Sequence, residues 1–167
     1  ADGGMVHLHE RECSIQRRHQ KLIEEAPAPG LPAKTKTALA AAAVHGARSI
    51  GYANAGTMEF IVDPGGSFYF LEMNTRLQVE HPITEAVTGL DLVVAQLHVA
   101  AGAPLPWRQE DVTVRGAALE CRVYAEDPAK SFQPCSGALT AAEFPAQARV
   151  ETWVERGVEV PPYYDPM

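Results

Sequence analysis

Apolar and polar residues alternate over positions 5–9 (MVHLH), which predicts a short strand after the turn at Asp2-Gly3-Gly4. Residues 10–21, ERECSIQRRHQK, are polar and carry no clear period. Leu22 and Ile23 begin another extended piece, which must end by Pro27-Ala28-Pro29-Gly30 because two prolines so close exclude helix. Leu39, Ala43, Gly46 and Ile50 then recur at helical spacing and predict a helix over residues 32–50, closed by Gly51. Extended runs at residues 56–62 and 68–73 flank Asp63-Pro64-Gly65-Gly66-Ser67, a strong turn signal. Residues 82–101 read as helical with a break near Gly89. Leu90, Val93, Leu97 and Ala101 form its apolar stripe, and Gly102 and Pro104 stop it. Beyond Pro106 the pattern changes to strands joined by turns, at residues 112–126, 137–144 and 150–160. A subdomain boundary is expected near residues 103–112, giving segments 1–105 and 106–167.

Composition narrows the class. The 167 residues are 46% apolar, enough for a buried core, and wholesale disorder is excluded. The net charge of −7 argues against a general nucleic-acid binder, while leaving room for a local basic pocket. Cys13, Cys121 and Cys135 follow no metal spacing and read as reduced thiols of a cytoplasmic protein. No apolar run approaches the roughly 18–20 residues of a membrane span, and no signal peptide is visible, so no membrane association is expected. The abrupt start resembles a chain cut from something longer.

The stretch FLEMNTRLQVEHP, residues 70–82, places Glu72, Asn74, Arg76, Gln78 and Glu80 at every second position, as one polar strand face would. If Gly65-Gly66 form a two-residue hairpin turn, Glu59 falls opposite Glu72 and Thr57 opposite Asn74. Like charges directly opposed on a sheet face repel. A divalent cation between them removes the conflict, and two carboxylates with an amide oxygen suit magnesium. A half-exposed hairpin with its polar residues outward is the plain alternative. A different turn register would put the two glutamates on opposite faces.

At this point the chain resembles a known family. EMNTRLQVEHPITE (72–85) and ERECSIQRRHQKLIEEAPAP (10–29) look like the biotin carboxylase component of biotin-dependent carboxylases, which are ATP-grasp enzymes. RGAALECRVYAEDP (115–128) and PPYYDPM (161–167) extend the likeness through nearly the whole chain. Glu12 stands where the family often has Asp. The tail, with FPAQA before Arg149-Val150-Glu151-Thr152, is most similar to the urea carboxylase part of urea amidolyase. The resemblance implies an α+β fold: the later part of an ATP-grasp domain, an antiparallel sheet with helices, then the start of the mostly β C-terminal subdomain. Family chains are longer, and the N-terminal domain, glycine-rich lid and phosphate-holding lysines are missing here. The chain alone is therefore expected to be inactive.

The resemblance also implies roles. ATP phosphorylates bicarbonate to carboxyphosphate, and the carboxyl group passes to biotin on a carrier domain. Glu59, Glu72 and Asn74 would hold Mg²⁺ or Mn²⁺. Lys21, Arg76, Gln78 and the Val79 N–H would hold bicarbonate, since an anion needs fixed donors and a guanidinium fork suits a planar one. Glu80 would be the general base, kept ionised by Arg76 and the cation. Arg122 matches the arginine that stabilises charge on biotin, where Arg76 also contributes. In a strand it would share a face with Glu120 and Tyr124. Gln16 and His19 match positions near the nucleotide, and Ile61 would pack on its adenine. The implied partners are bicarbonate, a biotin carboxyl carrier domain, a carboxyltransferase domain and a second copy of the chain in a homodimer. Three readings compete with the urea assignment: an acyl-CoA carboxylase subunit (acetyl-, propionyl- or methylcrotonyl-CoA), a carbamoyl-phosphate synthetase relative, and a non-catalytic interaction piece.

Overall fold

A computed structural model describes residues 4–161 and 163. The chain divides into two compact units, Ala1–Cys121 and Arg122–Met167. The Asp2-Gly3 part of the first turn, and most of the closing PPYYDPM segment, lie outside the described residues.

In the first unit, β1 (Glu12–Arg17) and β2 (Gln20–Ala26) pair antiparallel. Arg17 faces Gln20, so Arg18 and His19 alone make the turn, both at positive φ (51° and 64°). That conformation belongs to a type I′ hairpin, usually built from Asn-Gly. With Arg-His in its place the polar run 10–21 carried no turn signal, and the strand went unread. β2 ends where expected, at Pro27.

The helix α1 (Ala33–Ser49) follows the predicted span, and Gly51 at φ 62° closes it. β3 (Thr57–Val62) and β4 (Phe68–Asn74) form the expected hairpin, but not around a two-residue turn. Asp63 N–H donates to Ser67 O (2.9 Å) and Gly66 N–H to Asp63 O (2.9 Å), leaving Pro64-Gly65-Gly66 as a three-residue loop. Only Gly66, at φ 86°, needs the left-handed region. This turn sets Phe60 opposite Phe70, and a bulge next to it then sets Glu59 opposite Glu72. Residues directly opposed share a face, and successive residues do not. Phe70 and Glu72, two apart in sequence, therefore lie on opposite faces. The aromatics Phe60, Phe68 and Phe70 cluster on one side (centroids 5.5 and 6.1 Å), and the acids sit on the other.

α2 (His81–Thr88) and α3 (Leu92–Ala100) are separated at Gly89, which caps α2 at φ 72°; Asp91 caps α3 by accepting from Val94 N–H (2.8 Å). β5 (Ala118–Cys121) completes a three-stranded sheet in the order β1-β2-β5. α2 lies against β2 and β5, where Ile83 and Val87 bury beside Ala26, with Val114 and Ala118 packed at the edge. Each such aliphatic side chain contributes about 1.5–3 kcal/mol when fully buried.

Two expectations fail. Residues 5–9 form no strand. His7 N–H donates to Gln109 Oε1 (2.8 Å) and His7 O accepts from Gln109 Nε2 (3.0 Å), so one side-chain amide satisfies the backbone that a neighbouring strand would. His9, at φ 68°, breaks the extended run. Of the three long strands expected beyond Pro106, the first (112–126) keeps only β5, in the first unit, and the rest of the pattern shrinks to two-residue ladders in the second unit: β6 (Glu126–Asp127) with β7 (Gln133–Pro134), and β8 (Gly137–Ala138) with β9 (Glu159–Val160). Alternation announces a face, but a strand also requires a partner in register.

Among the described residues no single helix is long and apolar enough to cross a membrane. α2 and α3 reach that length only together, bent by 101°.

Candidate active site

The functional side chains converge on Glu59. Its Oε1 accepts from Lys21 Nζ (2.8 Å) on β2, from Gln78 Nε2 (2.9 Å) in the segment before α2, and from Asn74 Nδ2 (3.2 Å) at the end of β4. Lys21 Nζ also donates to Glu80 Oε1 (2.7 Å). Strand β4 stops at Asn74, so the alternation through Gln78 and Glu80 is not one strand face. Residues 75–80 instead turn toward α2, whose entry at Pro82 places Glu80 as its N-cap residue. Glu80 is 2% exposed and Gln78 is also buried.

A buried carboxylate needs charged and hydrogen-bonding company to stay ionised. Burial pushes the Glu80 pKa up. The Lys21 hydrogen bond, Glu80's own backbone N–H and the charges of Lys21 and Arg11 outweigh it and hold the group below its ordinary value. Burial likewise works against the charge on Lys21, but the Glu59 and Glu80 hydrogen bonds win and raise its pKa. Both groups stay charged at neutral pH. The stabilising cations are Lys21 and Arg11, not the Arg76 expected from the sequence. Beside them Cys13 remains a thiol, its pKa pushed up to about 12, above all by burial.

Arg11 is the residue that sequence reasoning missed. It donates to Gln78 Oε1 (2.7 Å), Thr84 Oγ1 (2.9 Å) and Thr57 Oγ1 (3.2 Å), and lies 3.9 Å from Glu80. It thereby ties β3 and α2 to the segment before β1. The one available signal was its place between Glu10 and Glu12 in an otherwise motif-like run.

Glu72 joins the cluster through Asn74, whose Nδ2 donates to Glu72 Oε1 (2.9 Å) as well as to Glu59. The amide nitrogen stands where a cation would relieve the opposed acids. Turned about its side-chain bond, Asn74 would present Oδ1 instead. Two carboxylates and an amide oxygen are hard donors that suit Mg²⁺ or Mn²⁺. Among the described residues no three His, Cys, Asp or Glu side chains gather as metal ligands. A cation here would therefore draw its remaining ligands from water or phosphate oxygens, as magnesium does.

The other expected residues sit around this centre. Arg76 is exposed and reaches Asn74 Oδ1 (3.3 Å) and Leu77 O (3.2 Å), at the rim of the cluster. Val79 is exposed, and no acceptor among the described residues takes its N–H. Gln16 pairs with Lys21 across β1–β2, although its side chain donates to Cys13 O (2.9 Å). Ile61 is 58% exposed, two residues from Glu59 on β3. His19 is an exposed turn residue and does not enter the cluster. Arg122 lies past the end of β5, so no strand sets it on a face with Glu120 and Tyr124. It belongs to the second unit.

Comparison with known proteins gives the family. Residues 1–108 match the family described as carbamoyl-phosphate synthase L chain, ATP binding domain. Residues 120–167 match the biotin carboxylase C-terminal domain, so the chain belongs to the biotin carboxylase branch of the ATP-grasp proteins. The methylcrotonoyl-CoA carboxylase subunit alpha of Arabidopsis thaliana is 55% identical over 170 residues, 99% of this chain and 23% of that protein. The biotin carboxylase domain of a thermophilic 2-oxoglutarate carboxylase, solved bound to bicarbonate, superimposes with a TM-score of 0.93 at 48% identity, over 99% of this chain and 38% of that one. The Kluyveromyces lactis urea carboxylase does so with a TM-score of 0.90 at 51% identity, over 98% of this chain and 15% of that one. The chain thus spans between 23% and 37% of the length of the curated relatives it matches.

Proposed function

We propose that the chain supplies the bicarbonate-activating centre of an ATP-dependent biotin carboxylase. Residues 1–105 are read as the later part of the ATP-grasp domain and 106–167 as the start of the C-terminal subdomain. The carrying observation is the buried Lys21–Glu80 pair, with Lys21 also bonded to Glu59. It couples a base kept ionised to a donor able to hold an anion. Arg76, Gln78 and the Val79 N–H complete the bicarbonate pocket. Glu80 takes the bicarbonate proton as an oxygen attacks the γ-phosphorus of ATP, giving carboxyphosphate and ADP. Glu59, Glu72 and Asn74 would hold the Mg²⁺ or Mn²⁺ that offsets charge on the transferring phosphoryl oxygens. Gln16, His19 and Ile61 would border the nucleotide. Arg122 would stabilise the charge on biotin as its ring nitrogen is carboxylated.

The expected partners are a biotin carboxyl carrier domain, a carboxyltransferase domain and a second copy of the chain, in the cytoplasm. For the final acceptor we retain urea, on the FPAQA segment before Arg149. An acyl-CoA acceptor is the alternative, supported by 55% identity to a methylcrotonoyl-CoA carboxylase subunit.

Glu80→Gln in the full-length parent tests the centre. It keeps shape and removes the base, so biotin- and bicarbonate-dependent ATP turnover should fall about 10²- to 10⁴-fold. Full activity would remove Glu80 from that role. ATP turnover stimulated by urea, and not by acyl-CoA, is expected. The reverse result would assign the acyl-CoA branch.

A further inference from the structure

The β3–β4 turn and the first turn of α1 border a half-open cavity of about 290 Å³, lined by Lys34, Thr35, Gly65, Gly66 and Ser67 with neighbours. It lies at the closed end of the hairpin, while Glu59 and Glu72 face each other nearer the open end. None of the bicarbonate chemistry uses it.

Three features of this corner point the same way. Helix α1 begins at Pro32 with no side-chain cap and no acid in its first turn. Its leading N–H groups have no intrahelical acceptor, and they carry the positive end of the helix dipole. Lys34 is exposed and forms no ion pair among the described residues, whereas Lys36 is engaged by Glu10 (2.7 Å) and by Ala28 O (2.7 Å).

The third feature is independent of the helix end. Thr35 is only 8% exposed, yet its hydroxyl makes no hydrogen bond among the described residues. The little of this residue that solvent reaches opens on the pocket, where only water or a ligand can meet the hydroxyl. Its Oγ1 is the atom that a Cβ on Gly66 would meet, at 3.2 Å, so it faces the glycine corner of the same cavity. A side chain at position 66 would occupy the space in front of it. The one acid nearby, Asp63, is held in its own turn, where its carboxylate accepts from Ser67 N–H (2.9 Å).

We propose that this cavity binds a phosphate-class oxyanion, either inorganic phosphate or the phosphate end of a small monoester. Lys34 supplies the charge. The Thr35 and Ser67 hydroxyls and the α1 N-terminus donate to separate oxygens of a tetrahedral anion, which has acceptors to spare on every side.

The test is calorimetric titration of the full-length parent with inorganic phosphate and, separately, with glycerol phosphate, ADP being saturating so that the nucleotide site is filled. Phosphate should still bind. Thr35→Val, nearly the same in shape, and Lys34→Glu should each weaken that binding about tenfold while leaving ADP affinity unchanged, since a hydrogen bond to a charged group is worth about 1.5–3 kcal/mol. Tighter binding of the monoester would assign a phosphorylated metabolite, and equal binding would assign the free ion. Absence of phosphate binding with ADP present, or binding that both variants leave intact, overturns the site.

Discussion

The two units differ completely in what they bury. Every buried residue among those described lies in the first unit; residues 122–161 contain none. In the first unit β2 finds partners on both edges and α2 covers the sheet, so Ala26, Ile83 and Val87 close over one another. In the second, Val123 is 86% and Trp153 67% exposed, and each ladder is two residues long. An isolated two-stranded pair is marginal at best. The difference teaches that an ionised carboxylate can be buried only where long-range pairing has already built an enclosure. Glu80 sits in the enclosed unit because Lys21, Arg11 and Gln78 arrive there from three separate segments.

The largest expected effect breaks that enclosure. Lys21→Met leaves Glu80 buried without its main partner and should cost about 3–5 kcal/mol of the first unit's stability. Chemical denaturation followed by hydrogen exchange should show the loss in β1, β2 and α2, with the second unit unchanged. A loss below about 1 kcal/mol would mean that Arg11 alone suffices for Glu80.

A smaller effect comes from pH. The Glu80 pKa is depressed in the fold, so its contribution is fully present above the ordinary value of 4.5 and is lost as pH falls through the lower folded value. The Lys21 pKa is raised, so its contribution is present below 10.5 and is lost as pH rises through the higher folded value. Between these limits the pair's contribution to the first unit should be flat. A slope in that contribution near pH 7, measured as the wild type minus Glu80→Gln, would contradict the charge states assigned here.

The smallest effect is expected in the other unit. Trp153→Ala removes a large but exposed ring and should change stability by no more than about 0.5 kcal/mol. A larger loss would mean that this ring is covered in solution, and the contrast between the units would weaken.

The hairpin shows how far sequence reading reached. The pairing of Glu59 with Glu72 and of Thr57 with Asn74 was legible, though from a turn that does not form. A three-residue loop displaces the register by one, and a bulge beside Phe60 restores it. Bulges leave no sequence signature as plain as Gly-Gly, so the correct pairing came from two departures that cancel. Arg11 was illegible for a different reason. Its three acceptors lie 46 to 73 residues away, beyond any local pattern. The ionised state of Glu80 is legible, but sequence proximity points to Arg76 and the cation as its cause, where the fold supplies Lys21 and Arg11.

The sequence by itself determined the family, the principal helices, the β3–β4 hairpin and, Arg11 apart, the acids, amides and cations of the candidate site. These are local properties, set by periodicity, turn residues and motif composition. Only the tertiary structure decided which cation holds which acid, where β4 ends and on which face each acid lies. Those outcomes depend on strand partners and burial, which act between residues far apart in the chain, and no window of sequence contains both members of the pair.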